Sequence, residues 1–369
     1  MKILALEPYY GGSHKAFLDG WVAHSKHDWT LFTLPAHKWK WRMRHSAITF
    51  ADQVCEGVAQ GNSWDVLFCS DMLNLAEFLG LAPESIPSIV YFHENQLTYP
   101  FRHESERDYQ FGMTNITSAL AADAVWFNSA YHRDSFLDAI PKFWEKMPDL
   151  PPEGVVARIS EKAAVHSPGI SPIAKRPERA PGPLRILWAA RWEHDKNPEG
   201  FFEAIDLLET GGLDFRISVI GETFRDAPAV FASAKEKFKN RIDRWGYQES
   251  RSDYENGLQE ADVIVSTANH EFFGISVIEA IAAGAYPLLP NRLAYPEILR
   301  IDDFPENKQH LYGGGPEDLA HELAELAHRL EQKCGLWNGD PERCLRLVGD
   351  FHWDHLAREL DEEVRHSGR

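Results

Sequence analysis

Residues 262–280 read Asp-Val-Ile-Val-Ser-Thr-Ala-Asn-His-Glu-Phe-Phe-Gly-Ile-Ser-Val-Ile-Glu-Ala. The apolar, β-branched run at its start, the polar turn around Gly274 and the apolar run that follows predict a strand, a tight loop and a helix. The first backbone N–H groups of such a helix have no partner inside it, and the helix dipole places partial positive charge there. The segment therefore predicts a βα turn that can bind a phosphate or pyrophosphate.

Two carboxylates flank this predicted anion site. Glu271 lies in the loop, and Glu279 lies about one turn into the helix. Carboxylates repel phosphate, so we expect them to accept hydrogen bonds from hydroxyl groups instead. A nucleotide diphosphate sugar offers both features, but an ordinary surface helix with two solvated glutamates explains this stretch alone equally well.

The alternation of strands and helices continues through the second half of the chain. Residues 171–183 are rich in proline, cannot continue a helix or a central strand, and predict a linker. Strand-like runs then follow at 184–190, 214–221, 262–267 and 285–289, with helical stretches near 316–333 and 354–366. We expect residues 184–345 to form a C-terminal nucleotide-sugar-binding, Rossmann-like domain and residues 346–369 a helix that can pack back on the N-terminal domain.

Residues 1–170 are expected to form an N-terminal, acceptor-binding Rossmann-like domain. Strand-like runs lie at 2–8, 29–35, 65–70, 86–93 and 123–128, and helical stretches lie near 44–60, 72–80 and 104–122. Such alternation predicts a mostly parallel, doubly wound sheet, in which ligands bind beyond the carboxyl ends of the strands. The polar groups at those ends are Gly11, Gly12, Ser70, His93, Glu94, Asn95, Asn128 and Ser129. The fold class is therefore α/β, with two doubly wound parallel-sheet domains facing each other across a cleft.

The turn after the first strand contains Gly11 and Gly12, followed by a serine that can cap the next helix. Backbone at such a turn can approach a ligand closely. A glycine turn kept for geometry alone is the more economical explanation without other evidence.

The segment between His37 and His45 alternates cations with large apolar residues. Its cations are Lys38, Lys40, Arg42 and Arg44, and Trp39, Trp41 and Met43 lie between them. If this segment is extended, one edge is cationic and the other is apolar, which suits single-stranded nucleic acid. The alternative is a solvated segment whose tryptophans fill a core.

Arg191 and Lys196 follow the first strand of the second domain. At the carboxyl end of that strand they would lie beside the loop that holds Glu271, where two cations would neutralise a diphosphate. The alternative is a surface ion pair with Glu193 or Asp195. Because the chain has no Asp-x-Asp motif and no short-spaced histidine cluster, we expect no metal site and no cofactor.

The composition limits the compartment and the partners. The net charge of −18 disfavours non-specific binding to nucleic acid or to an anionic membrane, so any polyanion must bind at a local basic patch. No apolar run is long enough to span a membrane, and the four cysteines contain no C-x-x-C pair. We therefore expect a cytoplasmic protein without a membrane partner; no protein partner follows from the sequence.

These residues together resemble a known family. Arg191, Lys196, Glu271 and Glu279, with His93 and the Gly11-Gly12 turn, look like the signature of the retaining GT-B glycosyltransferases of family 4. A closer resemblance is to the tRNA-queuosine mannosyltransferases. The blocks of sequence that support it span 10–298 and are 10–15, 34–42, 91–97, 106–108, 191–196, 270–274 and 295–298.

The resemblance implies a GT-B fold, GDP-mannose as donor, and the cyclopentenediol of queuosine in a tRNA anticodon, with aspartate tRNA expected, as acceptor. It implies that Arg191 and Lys196 bind the diphosphate with the backbone N–H groups of Phe273 and Gly274. Glu271 would bind the sugar hydroxyls and Glu279 the ribose. It implies four catalytic residues, which are His93, Glu271, Arg191 and Lys196. The donor would also contact Gly11 and Gly12, and the acceptor would contact His14, Lys38, Trp39, Lys40, Trp41, Arg42, Arg44, Glu94 and Asn95.

The family is thought to retain anomeric configuration by front-face attack, in which the departing phosphate takes the acceptor's proton. Two alternatives stay open. One is a transferase of the same fold that acts on a lipid, glycan or small molecule. The other is a catalytically silent nucleotide-sugar or RNA-binding module, for which five retained site residues would have little use.

Overall fold

The computed structural model describes residues 1–100, 107–176, 179, 181–224, 226–337, 340 and 342–367. The chain divides into two compact units, one of Met1–Gly169 with Trp353–Arg369 and one of Ile170–His352. The described part of the predicted linker, 171–183, thus belongs to the second unit, which ends at His352. Linker residues 177, 178 and 180, and residues 104–106 of a predicted helix, lie outside the described residues.

The first unit is built on a six-stranded parallel sheet. Its strands are β1 Lys2–Tyr10, β2 Asp28–Pro35, β3 Val66–Ser70, β4 Ser88–Phe92, β5 Ala124–Phe127 and β6 Ala163–Val165. Its helices are α1 Gly12–His24, α2 Trp39–Ala59, α3 Leu75–Leu81, α4 Tyr109–Ala121, α5 Ala130–Trp144 and α6 Val155–Ser160, with α14 Trp353–Ser367 from the far end of the sequence. The strand order is β2-β1-β3-β4-β5-β6, so the chain winds both ways from β1.

Both faces of this sheet are buried, which explains its nearly continuous apolar strands. Successive residues of a strand point to opposite faces, so Leu4 and Leu6 pack in one cluster with helices α2 to α5. Ile3 and Ala5 pack on the other face, against residues of α1 and α14. The sequence expectation of a doubly wound parallel sheet is confirmed.

Helix α14 is anchored on α1 by a buried carboxylate. Asp361, which is 4% exposed, accepts hydrogen bonds from Trp21 Nε1 at 3.0 Å, Ser25 Oγ at 2.7 Å and the Lys26 backbone N–H at 2.7 Å. A Cβ atom at Gly20 would lie 2.1 Å from the Trp353 ring, so only glycine lets that ring approach α1. The first unit is therefore completed by residues from beyond the second.

The second unit repeats the architecture. Its strands are β7 Leu184–Ala189, β8 Phe215–Ile220, β9 Ile242–Gly246, β10 Val263–Val265, β11 Tyr286–Pro290 and β12 Leu311–Tyr312, in the order β12-β11-β10-β7-β8-β9. Its helices are α7 Pro198–Thr210, α8 Val230–Lys237, α9 Arg251–Glu260, α10 Ile275–Ala282, α11 Tyr295–Ile298, α12 Pro316–Glu331 and α13 Arg343–Val348. Short 3₁₀ turns occupy His194–Lys196, Pro305–His310 and Gly349–Phe351.

The proline-rich entry to this unit is fixed by one buried acid. Asp262 is fully buried and accepts from Arg176 Nη1 at 2.8 Å, from Arg179 Nε at 2.8 Å and from the Arg185 backbone N–H at 3.0 Å. Residues that lack regular structure are thereby held against the start of β7 and the turn before β10.

The basic and aromatic segment is helical, and the extended conformation predicted for it is wrong. Helix α2 begins at Trp39 and runs for 21 residues, directly after Lys38 with a left-handed φ of 53°. Its buried residues Met43, Ala47 and Phe50 recur at helical spacing. The helix of 21 residues is three times as long as the alternating stretch of seven, so packing of its apolar face decides the conformation and the four cations do not share one edge.

Within the described residues, every helix is too short or too polar to cross a membrane.

Candidate active site

Two loops at the carboxyl ends of β7 and β10 are joined by backbone hydrogen bonds. The backbone N–H of Asn269 donates to the carbonyl of Asp195 at 2.8 Å, and that of His270 donates to the same oxygen at 3.3 Å. Thr267 Oγ1 lies 2.9 Å from the carbonyl oxygens of both Lys196 and Asn197. Lys196 and Glu271 are therefore held together by the backbone, as strand ends of a parallel sheet require.

Lys196 is the buried centre of this part of the site. Its ammonium is 2.8 Å from the carbonyl oxygen of His270, 3.2 Å from Glu271 Oε2 and 3.1 Å from Asp195 Oδ2. Burial lowers the pKa of Lys196, but the charges of Glu271 and Asp195 outweigh burial and raise its pKa above the ordinary value. Burial raises the pKa of Glu271, but the charge of Lys196 outweighs burial, so the pKa of this carboxyl lies below its ordinary value. Both groups are ionised near neutral pH.

Arg191 lies more openly at the end of β7. Its side chain is 42% exposed, and Nη2 is 3.3 Å from Glu193 Oε2. The alternative considered from the sequence is an ion pair with Glu193 or Asp195. Both pairs are present, Arg191 with Glu193 and Lys196 with Asp195. An exposed pair of this kind contributes little to stability, so the guanidinium can be drawn to a stronger anion such as a diphosphate.

Gly274 sets the start of α10. It has a φ of 93°, which disfavours any residue with a Cβ, and an added Cβ would lie 3.2 Å from Tyr295 Cε1. Ser276 Oγ donates to the carbonyl of Ala189 at 2.8 Å, which ties the first turn of α10 to the end of β7. Because the N-cap residue Gly274 has no side chain, it cannot accept hydrogen bonds from the first N–H groups of α10. The neighbouring Phe273 is buried.

Glu279 is 9% exposed and is bonded by two residues of α9. Arg251 Nη1 donates to Oε1 at 2.9 Å, and the Tyr254 hydroxyl donates to Oε2 at 2.7 Å. Burial, together with the Glu279 charge, raises the pKa of Tyr254 well above its ordinary value, so the phenol stays protonated. Sequence reasoning missed Arg251 and Tyr254, since each is more than 20 residues from Glu279 and nothing in the intervening sequence connects them.

A second cluster lies in the first unit, at the carboxyl ends of β1, β3 and β4. Glu7 and His14 are both buried, with His14 Nδ1 3.2 Å from Glu7 Oε2. Burial lowers the pKa of His14, but Glu7 and the nearby Asp71 and Glu94 raise it to about 9. His14 is therefore an imidazolium near neutral pH.

His93 packs against that imidazolium, with ring centroids 4.0 Å apart. Burial and the His14 charge lower the pKa of His93 well below its usual range, so its imidazole is neutral. Its backbone N–H donates to Asp71 Oδ1 at 2.9 Å. Burial raises the pKa of that fully buried aspartic acid to about 8. Neither Glu7 nor Asp71 was selected from the sequence, because single acids at strand ends give no distinguishing signal.

Glu7, His14 and His93 can each offer one ligand atom to a metal ion, and these atoms lie within 4.8 Å of one another. In the structure Glu7 Oε2 and His14 Nδ1 are hydrogen-bonded to each other. The imidazole rings of His14 and His93 pack together with an angle of 35° between their planes. A metal would require both arrangements to change.

Asn95, which the resemblance assigns to acceptor binding, closes a turn. Asn95 is fully buried, and its Oδ1 accepts from the backbone N–H groups of Leu97 and Thr98 at 3.0 and 2.9 Å. Its amide is occupied in closing a turn, so it positions the loop after His93. Glu94, in contrast, is partly exposed and accepts from Gln96 Nε2 at 3.1 Å.

The two glycines after β1 differ. An added Cβ at Gly11 would lie 2.4 Å from the Cβ of Ala36, so packing alone requires glycine there. Gly12 has a φ of 52°, and an added Cβ there would have no heavy atom of the described residues within 4 Å. Open space thus lies beside Gly12.

The cations of the basic segment point in different directions. Arg44 is 3.1 Å from Asp108 and lies over the Phe111 ring, and Arg42 donates to the carbonyl of Pro35 at 3.0 Å. Lys38 and Lys40 are exposed, and Lys40 lies over the half-buried Trp39. Trp41 is 60% exposed and packs against His45, which makes it the large aromatic surface of α2.

Two doubly wound units, with cations and carboxylates at the strand ends of the second, define a GT-B glycosyltransferase. Comparison with solved structures agrees on the fold. Sucrose-phosphate synthase from Thermosynechococcus elongatus matches with a TM-score of 0.72 and 13% identity over 99% of both chains. The catalytic domain of starch synthase IV from Arabidopsis thaliana, bound to ADP and acarbose, matches with a TM-score of 0.73 and 10% identity over 100% of this chain and 99% of that one.

Sequence comparison identifies the family. Residues 2–170 match the model of the tRNA-queuosine alpha-mannosyltransferase N-terminal domain, and residues 171–333 match glycosyl transferases group 1. The tRNA-queuosine alpha-mannosyltransferase of Drosophila melanogaster is 38% identical over 310 residues, which cover 80% of this chain and 81% of that protein. A GDP-mannose-dependent alpha-(1-6)-phosphatidylinositol dimannoside mannosyltransferase of Mycobacterium tuberculosis is 24% identical over 49% of this chain and 43% of its own length. The chain belongs to the tRNA-queuosine alpha-mannosyltransferase family, which confirms the family expected from the sequence.

Proposed function

We propose that this protein transfers mannose from GDP-mannose to a hydroxyl of the queuosine cyclopentenediol in a tRNA, with retention of configuration. In that step the acceptor oxygen bonds to C1 of mannose, and the bond from C1 to the diphosphate oxygen breaks. The acceptor proton passes to the departing phosphate, so GDP leaves from the face on which the acceptor enters. No protein nucleophile is required.

The observation that most supports this proposal is the ion pair between the buried Lys196 and the partly buried Glu271. A cation and a hydroxyl-binding carboxylate side by side fit a diphosphate joined to a sugar. The names of the relatives support the donor and the acceptor, since one is GDP-mannose-dependent and the other acts on tRNA-queuosine.

The proposed donor contacts follow the geometry of the second unit. Lys196 and Arg191 bind the diphosphate, together with the backbone N–H groups of Phe273 and Gly274. Glu271 binds mannose hydroxyls and Glu279 the ribose. In the first unit, the neutral imidazole of His93 can donate one hydrogen bond to a sugar hydroxyl, and the open backbone at Gly12 leaves room for a ligand.

We expect this reaction to need no metal, because two cations already face the diphosphate. Chelation with EDTA tests this expectation, and loss of transfer that is restored by a divalent ion would refute it. We also propose that the protein works in the cytoplasm, where subcellular fractionation would detect it with its tRNA substrate.

The proposed tRNA contact uses the exposed side chains of α2. Trp41 offers a surface on which a base can stack, and alanine there is expected to weaken tRNA binding by about 1–3 kcal/mol. Ile48, which is 52% exposed on the same helix, provides the control substitution Ile48→Ala. Removing Lys38 and Lys40 together should lower the slope of affinity against salt concentration by about one for each lysine. Unchanged tRNA affinity in both Trp41→Ala and the variant that lacks Lys38 and Lys40 would remove this surface from the proposal.

Mass spectrometry of nucleosides tests the whole function. Queuosine-containing tRNA is incubated with the protein and either GDP-mannose or other nucleotide sugars. A hexose on queuosine with GDP-mannose alone establishes donor, acceptor and reaction together. Donor hydrolysis without transfer would keep the donor site and direct the search to lipid, glycan or small-molecule acceptors.

A further inference from the structure

The cation hydrogen-bonded to Glu279 lies beside the proposed ribose contact. Arg251 opens α9, at the carboxyl end of β9, and is 50% exposed. Its Nη1 donates to Glu279 at 2.9 Å and its Nε to Glu255 at 2.6 Å. If Glu279 binds the ribose, the base attached to that ribose lies within a few ångströms of this guanidinium.

The guanidinium keeps hydrogen-bonding capacity for a ligand. Arginine has five N–H groups in a planar fork. Among the described residues, the hydrogen bonds of Arg251 use two of them. The contacts with Glu279 and Glu255 hold the fork in one orientation, and half of the side chain is open to solvent, so a ligand can reach the remaining donors.

An exposed aromatic side chain precedes this cation by four residues, at the same end of β9. Tyr247 follows the last residue of β9, Gly246, and is 59% exposed. Gly246 has a φ of 84°, which turns the chain sharply at the end of the strand. An exposed tyrosine at the ligand-binding end of a parallel sheet offers a face for a flat ring.

The bases of common nucleotide sugars differ in what they show to such a fork. Guanine presents two adjacent acceptors, O6 and N7, which match two parallel N–H groups of arginine. Adenine presents N7 beside an amino donor, and uracil has no equivalent pair of adjacent acceptors. A planar arginine held in place therefore favours guanine.

We propose that Arg251 is the residue that selects a guanine nucleotide, by donating to O6 and N7 of a base that packs against Tyr247. This inference rests on the proposed donor site, because it takes Glu279 as the ribose contact. It assigns a specificity role to a residue whose ion pair would otherwise be only structural.

Calorimetric titration with GDP, ADP and UDP tests the proposal on the full chain. The informative variant is Arg251→Lys, which keeps the positive charge beside Glu279 but loses the planar fork. We expect its affinity for GDP to fall about tenfold or more, while its affinities for ADP and UDP stay unchanged. Tyr247→Ala is expected to weaken all three nucleotides together, because stacking does not depend on base identity.

Arg241→Lys is the matched control. Arg241 lies at the amino end of β9, the end away from Arg251, and pairs with two acids, Glu209 and Asp214. Thermal unfolding of each variant reports folding. An equal loss for all three nucleotides in Arg251→Lys would overturn the proposal, because Arg251 would then act only through Glu279. An unchanged preference for GDP would overturn it as well.

The proposed function fails differently. If the unaltered protein binds no nucleoside diphosphate, the donor site itself is wrong. If it binds GDP, ADP and UDP equally, the donor site stands and the role of Arg251 is wrong.

Discussion

Replacing Lys196 with methionine removes the charge of the donor site and keeps most of the side-chain volume. Lys196 is 6% exposed and faces two carboxylates and a carbonyl oxygen. Removing one partner of a buried ion pair leaves an uncompensated charge, which costs about 3–5 kcal/mol of folding stability. Loss of one group that stabilises the departing diphosphate costs about 3–4 kcal/mol of transition-state stabilisation, or about 10²–10³ in rate.

The two effects can be separated by a second substitution. Glu271→Gln in the Lys196→Met background removes one of the two carboxylates left uncompensated, while Asp195 remains, so we expect stability to recover in part while activity does not. Urea unfolding measures the first quantity, and mannose transfer with GDP-mannose at saturating tRNA measures the second. Lys237→Met, which breaks an exposed ion pair with Asp206, serves as the control for loss of a lysine.

The reasoning is refuted if Lys196→Met, folded at the assay temperature, transfers mannose within threefold of the unaltered rate. It is also refuted if Lys196→Met restores activity when combined with Glu271→Gln, because the lysine would then serve only to neutralise that acid.

Three further outcomes are expected. Asp361→Ala removes the acceptor of three hydrogen bonds, of which only that of Trp21 Nε1 is fully buried, and should lower the free energy of unfolding by about 1–3 kcal/mol in urea titration; an unchanged free energy of unfolding would contradict the anchoring of α14. The pKa of His14 is raised to about 9 in the folded state, so its contribution, about 3 kcal/mol, is present below pH 6.5 and is lost as pH rises toward 9; the Glu7→Gln variant should show a weaker decline between those pH values, and an identical decline would exclude the pair as its cause. Gly274→Ala forces a Cβ into a left-handed residue 3.2 Å from Tyr295 and should lower stability by about 1–2 kcal/mol and weaken GDP binding, whereas calorimetry showing unchanged affinity would place the α10 N-terminus outside the donor site.

The donor-side residues were predictable because parallel strands bring their carboxyl ends to one edge. Lys196 and Glu271 are 75 residues apart in sequence, yet each follows an apolar strand, and this position alone predicts their contact. Arg251 was not predictable in the same way, since it opens a helix whose apolar face is weak. Its contact with Glu279 depends on how α9 packs beside α10.

The segment at Trp39 shows a different limit. Seven alternating residues fit a strand and one face of a helix almost equally well, because Trp39 and Met43 lie on the same face in both conformations. The partners that decide between them, Phe111 and Met72, lie far along the chain. Asn95 shows a related limit, since a polar residue after a strand can close a turn as readily as it can bind a ligand, and its acceptor role stays a prediction.

The position of α14 has a consequence for biosynthesis. One face of the first sheet is covered by α1 and α14. The apolar cluster on that face, which contains Trp126, is therefore incomplete until residues from 353 onward leave the ribosome. The 183 residues from 170 to 352 must be translated in between, which takes about 10–40 s at ordinary elongation rates. During that interval the nascent first unit presents an apolar surface. We therefore expect chaperones to bind the nascent first unit until α14 is made, and the second unit can complete its own core before the first.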